Sequence, residues 1–212
     1  GQIMPVQKLC DMAHRYGVRV LVDGAHAFGH IQFSIQDLRC DYYGTSLHKW
    51  LTVPLGAGFL YINKDQIADL WPLFAEDPRD SEDILRLNHV GTYPVHTDLA
   101  IINAIDYHHK IGGSRKEARL RYLQKYWTDQ VRELSKVVVN TPLDSKRYCA
   151  IGNVGIETMG PADFAKKLLD DYQIWTVAID RPGVRGLRIT PNLFTTPREL
   201  DVLVKAIKEL SA

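Results

Sequence analysis

Two short stretches place titratable and hydroxyl side chains where strands would end. One is Val22-Asp23-Gly24-Ala25-His26; the other is Ser46-Leu47-His48-Lys49, followed by the aromatic Trp50. In open α/β sheets, ligands bind beyond the carboxyl ends of the strands. Neighbouring strands lie about 4.8 Å apart, so if these two pair in parallel, Asp23 and Lys49 overhang one crevice. An amine whose pKa is lowered by partial burial can condense with a carbonyl to give a Schiff base. Pyridoxal 5'-phosphate chemistry uses such an amine, together with a carboxylate that keeps the pyridine nitrogen protonated. Asp23 suits that place, His26 could donate to the phenolic oxygen, and Ser46 and His48 could bond the phosphate. The same spacing is open to a plain salt bridge between Asp23 and Lys49, with His26 and His48 capping loops. Spacing alone does not choose between these.

The elements that must position these residues follow from local pattern. Pro5, Val6, Leu9, Cys10, Ala13 and Tyr16 have helical spacing, with Gly17 as a stop. Residues 18–22 read as a strand covered on both faces, 41–45 and 58–62 as two more, the last after a Pro54/Gly56 turn. A short helix follows Asn63, then a charged surface loop over 72–88 and a helix over 95–111. Ser114-Arg115-Lys116-Glu117 reads as a capping box opening a charged helix to about Ser135, which would link two domains. Strands over 137–139, 149–157, 175–179 and 186–190, with helices over 163–172 and 198–210, make a small α+β unit. The expected domains are therefore 1–112, part of a larger α/β domain, and 113–212, the linking helix and the α+β domain.

Composition removes other classes of function. Among 212 residues, 26 Lys+Arg against 25 Asp+Glu leave a net charge of +1, so nothing recommends nucleic acid or an anionic membrane as partner. No apolar run approaches the ~18 residues of a membrane span. Cys10, Cys40 and Cys149 are too few and scattered for a disulfide framework or a metal site and read as buried free thiols. No signal pattern opens the chain, so a soluble, cytoplasmic location is the default expectation, with the compartment open because an upstream segment could be missing.

The stretches VLVDGAHAFGHI and DYYGTSLHKWLTVPLGAGFLYI resemble the coenzyme site of the class V aminotransferase family, which includes isopenicillin-N epimerases, cysteine desulfurases and kynureninases. Val90-Gly91-Thr92 and Gly186-Leu187-Arg188-Ile189-Thr190 extend the similarity toward both ends of the chain. The resemblance implies a fold-type-I α/β large domain, mostly parallel in its sheet, followed by a small α+β domain. It implies that Lys49 carries pyridoxal phosphate as a Schiff base and moves the Cα proton, and that Asp23 binds the pyridine nitrogen. His26 would sit beside the phenolic oxygen, and Ser46 and His48 would hold the phosphate. Thr92 would reach the phosphate in a neighbouring subunit of a homodimer, and Arg188 would grip the α-carboxylate of a small amino-acid-type substrate. The alternatives are a solvated Arg188 on an edge strand and Thr92 as a plain turn residue. Asn88, His89, Tyr93 and Trp175 could face the pocket, though packing is the commoner role.

Members with the complete fold are about twice this length, which places missing strands and phosphate donors upstream of Gly1 and leaves a sheet edge open. Cysteine desulfurases carry a nucleophilic cysteine before the carboxylate-binding arginine; residues 174–187 contain none, and Cys149 lies upstream. The expected activity is that of an epimerase or aminotransferase, with a lyase possible. The rival is a non-catalytic module or inactive fragment that kept the fold.

Overall fold

A computed structural model describes residues 1–75, 79–88, 91–93 and 95–212. Contacts divide them into two compact units, Pro5–Gly113 and Ser114–Ala212, the second joined by Gly1–Met4. Those first residues belong there because the Ile3 N–H donates to the Arg147 carbonyl at 2.8 Å.

In the first unit, α1 (Val6–His14), β1 (Leu21–Asp23), α2 (Ile35–Leu38), β2 (Tyr42–Ser46), β3 (Gly58–Ile62) and α3 (Val95–Ile111) follow in order. The sheet order is β1-β2-β3. β1 runs parallel to β2 with Asp23 opposite Gly44; β3 runs antiparallel to β2 with Ser46 opposite Gly58. The connection over 47–57 contains no helix, and a parallel partner would need a crossover, so the sheet is mixed. The strand expected over 18–22 starts later and is not covered on both faces. Asp41 Oδ2 takes the Val20 N–H at 2.7 Å, and Leu21 is 66% exposed on what is an edge strand among the described residues. Cys10, Cys40 and Tyr43 form a core with Val22 and Phe33; Leu47, Leu51, Val53, Ala57 and Ala104 form another with Phe28 and Ile101.

The second unit contains α4 (Gly113–Val131), β4 (Val137–Val139), β5 (Gly152–Ile156), α5 (Pro161–Tyr172), β6 (Val177–Arg181), β7 (Val184–Ile189) and α6 (Pro197–Ser211). Its sheet order is β4-β5-β7-β6, with every pair antiparallel. Ser114 lies inside α4 and not at its cap, because helix resumes directly after Gly112 at φ 85°. Glu117 instead pairs with Arg121 at 2.6 Å. α4 is more than a linker: Leu123, Trp127 and Val131 stand in the unit's core with Val154, Leu187 and Ile207. A capping box opens α6 instead, where Thr196 and Glu199, on either side of Pro197, bond each other's backbone. The three cysteines are buried and none is in a disulfide among the described residues. Among the described residues no helix is long and apolar enough to cross a membrane, and no cluster of His, Cys, Asp or Glu could hold a metal.

Candidate active site

β1 delivers Asp23 to the end of the sheet, and the next residues fold back over that end. The Ala25 N–H donates to Asp23 Oδ1 at 3.0 Å, and the Gly24 N–H extends the ladder by donating to the Gly44 carbonyl at 2.8 Å. Gly24 is demanded by space: a Cβ would lie 1.9 Å from Cζ of the fully buried Tyr43. The Tyr43 hydroxyl donates to the Gly24 carbonyl at 3.2 Å, and burial pushes this phenol above its ordinary pKa, so it stays a donor.

β2 ends at Ser46. Leu47 and Trp50, 4% and 5% exposed, pin the following turn at both sides, and His48 and Lys49 between them are held half-buried. The Leu47 N–H donates to Ala57 O at 3.0 Å and its carbonyl accepts from Val53 N–H at 3.2 Å. Thr52, three residues past the lysine, holds φ at 65°, a costly value for a β-branched residue that persists only when its surroundings enforce it.

The two strand-end loops are tied together by Trp50, whose Nε1–H donates to His26 Nδ1 at 3.3 Å. An indole nitrogen can only donate, so Nδ1 accepts and the hydrogen of neutral His26 resides on Nε2. The Trp50 ring stacks on His30 with centroids 3.8 Å apart and planes 6° from parallel. His30 Nδ1 in turn donates to the His26 carbonyl at 2.8 Å. Asp23 and Ser46 are thus the last residues of two adjacent parallel strands, and His26, His48 and Lys49 follow in the segments just beyond them. Among the described residues Asp23 and Lys49 form no ion pair with each other.

Thr92 is exposed after Gly91, whose φ is 70°; Val90 of the same motif, and His89, lie outside the described residues. Asn88 is exposed, and Tyr93 and Trp175, 49% and 73% exposed, do not pack in either unit's core. Arg188 lies in the second unit on β7, an interior strand between β5 and β6, so the edge-strand reading fails. Its Nε–H is buried without a partner. Sequence reasoning passed over His30 and Tyr43. The four-residue spacing of His26 and His30 was the visible signal for one, and nothing local marks the other.

The aminotransferase class-V family model matches residues 1–178. The isopenicillin N epimerase of Amycolatopsis lactamdurans is 34% identical over 100% of this chain and 57% of its own length, so the chain spans a little over half of that relative. The apo cysteine desulfurase from Thermococcus onnurineus NA1 is similar in fold, with a TM-score of 0.86 at 24% identity over 100% of this chain and 57% of that one. A mutant of the cystine C–S lyase C-DES, solved with glycine covalently linked to its PLP cofactor, has a TM-score of 0.84 at 19% identity over 97% and 56%. A family match across most of the sequence, together with strand-end loops built as described, establishes that the chain belongs to the class V aminotransferase family.

Proposed function

We propose that the protein is a pyridoxal-phosphate-dependent enzyme acting at Cα of an amino acid or amino-acid-derived substrate, in the manner of an isopenicillin N epimerase or a class V aminotransferase. The observation that carries this reading is the Trp50–His26 bond, which joins the loop bearing Lys49 to the loop bearing Asp23 at one end of the sheet. The residues fit the coenzyme in type: a carboxylate, an amine, a hydroxyl and an imidazole with its hydrogen on Nε2; Arg188, with an unpartnered buried Nε–H, suits a substrate carboxylate. A buried donor left without a partner costs about 1–3 kcal/mol, which an anionic ligand relieves.

When bound, the coenzyme supplies an electrophilic aldehyde and a protonated ring that accepts electrons released at Cα. Asp23, an acceptor at the end of β1, would keep the proton on the pyridine nitrogen. His26 would donate from Nε2 to the phenolic oxygen, and Ser46 and His48 would donate to the phosphate. Lys49 is the residue that would hold the coenzyme through its aldehyde, and its amine would move the proton at the substrate's Cα. Arg188 holds the substrate's α-carboxylate through paired N–H bonds. Thr92, exposed on its loop, is offered to the phosphate site of a second copy in a homodimer.

Desulfuration is disfavoured, although relatives of this fold perform it. Burial pushes the Cys149 thiol up to about 12 and raises Cys10 and Cys40 as well, so none supplies a thiolate at neutral pH. Return of the proton to the opposite face of Cα, seen as solvent deuterium entering with inversion, marks an epimerase; release of a keto acid marks an aminotransferase. In the intact protein, Lys49→Ala is expected to abolish the borohydride-sensitive visible band and to lower turnover by at least about 100-fold. Undiminished turnover would refute the assignment. An unaltered protein with neither band nor turnover would favour the non-catalytic module.

A further inference from the structure

Asn153 of β5 lies directly opposite Arg188 of β7 in the antiparallel register. Their side chains therefore leave the same face of the sheet, with Cβ atoms about 4.5–5.5 Å apart. Val154, Leu187 and Ile189 take the opposite face, in the core. Asn153 is only 6% exposed, an unusual place for an amide unless it is bonded.

A chain of bonds settles which way that amide points. The Arg185 carbonyl can only accept, so the group of Asn140 that faces it, 3.0 Å away, is Nδ2. The same Nδ2 gives its second hydrogen to Asn153 Oδ1 at 2.6 Å. Asn153 Nδ2 is thereby turned away from Asn140 as a donor. Gly186 keeps the arrangement possible: a Cβ there would lie 2.8 Å from Asn153 Oδ1. Below, the Asn153 N–H donates to Thr141 Oγ1 at 2.9 Å, which fixes the backbone. The result is an oriented amide donor next to a guanidinium whose buried Nε–H has no partner.

We infer that Asn153 is a second carboxylate-binding residue: its Nδ2, aimed by Asn140, joins Arg188 in holding the two oxygens of the substrate's carboxylate. Asn140 touches no ligand and is a positioning residue. The inference rests on the proposed role of Arg188 and adds to it selectivity for a carboxylate over a neutral or absent group. One guanidinium edge alone can satisfy a carboxylate; the neighbouring amide adds a donor that a substrate lacking the group would leave unused.

The test uses the coenzyme-loaded intact protein, with the coenzyme absorption band as readout and the twenty common amino acids, in both hands, as probes. The amino acid giving the largest response is then compared with the amine that lacks its carboxylate. Asn153→Asp keeps the shape and an oxygen for Asn140 but replaces the donor with an oxygen that pairs with Arg188. Affinity for the amino acid is expected to fall by about 100-fold or more, with the amine and the coenzyme band unaffected. Asn140→Ala, at an exposed position, frees the amide to turn and is expected to cost about 3- to 10-fold in the same selectivity. It serves also where Asn153→Asp does not fold. Unchanged amino-acid affinity in either variant, or equal losses for amino acid and amine, overturns the inference while leaving the proposed function standing. No response of the unaltered protein to any amino acid overturns the proposed function, and this inference with it.

Discussion

Gly24→Ala is a sharp test of how the Asp23 loop is held, because the three atoms nearest an added Cβ all belong to Tyr43. The added Cβ would sit 1.9 Å from Tyr43 Cζ and 2.0 Å from its hydroxyl oxygen. Tyr43 is fully buried, boxed in by Cys10 and Cys40 and by Phe33 and Phe59, whose ring centroids are 5.6 and 6.3 Å away. The ring cannot yield without moving the core, and overpacking of this kind costs about 1–3 kcal/mol. Loss of the Tyr43–Gly24 bond adds about 0.5–1.5 kcal/mol, so the expected total is about 1.5–4.5 kcal/mol. Gly24 is not among the positive-φ residues, so no backbone strain enters. In a Tyr43→Ala background the three atoms nearest the added Cβ are gone, and the same substitution should cost less than about 0.5 kcal/mol. Denaturant unfolding of the four proteins measures this: the midpoint should fall with unchanged slope. Equal costs in both backgrounds, or a cost below about 1 kcal/mol with Tyr43 present, would refute the steric account. Because Asp23 adjoins the displaced residue, coenzyme affinity should fall with stability in the Tyr43 background.

Asp41 joins α1 to the start of β1 by accepting from His14 Nε2 at 2.9 Å and from the Val20 N–H. Burial by itself would raise this carboxyl, but those bonds outweigh it and hold its pKa below the ordinary 3.8. A depressed acid contributes stability above its unfolded pKa and loses it as pH falls through the folded one. Asp41→Asn should therefore cost about 1.5–3 kcal/mol at neutral pH and progressively less below the ordinary 3.8, read from urea midpoints across pH; a deficit that does not shrink in acid would contradict this. In the second unit, Thr196→Ala removes one half of the α6 capping box and should lower stability by about 0.5–2 kcal/mol. Thr196→Ser should restore most of it; equal losses in the two variants would mean the methyl group, not the hydroxyl, is what matters.

What the sequence settles by itself is local. β3 over Gly58–Ile62 and α3 over Val95–Ile111 appear where apolar patterning and turn residues place them, because a strand or helix is written in the spacing of its own residues. The acid and the amine at two strand ends were legible for the same reason, and so was the family. Errors fell where neighbours override local signals. Ser114–Glu117 has the letters of a cap but sits inside α4, since Gly112 alone separates the two helices. The 18–22 run looks covered on both faces, but the face carrying Val22 packs on a core while Leu21 on the other is exposed, because covering depends on what packs above and below the sheet. Tertiary structure alone decided that Trp50 would fix the tautomer of His26, that Tyr43 would forbid a side chain at Gly24, and that Asn153 would face Arg188. Each of those pairs is separated by many residues of chain, and such contacts exist only after strands pair in register. No spacing rule can announce them, because they follow from the closeness that folding creates.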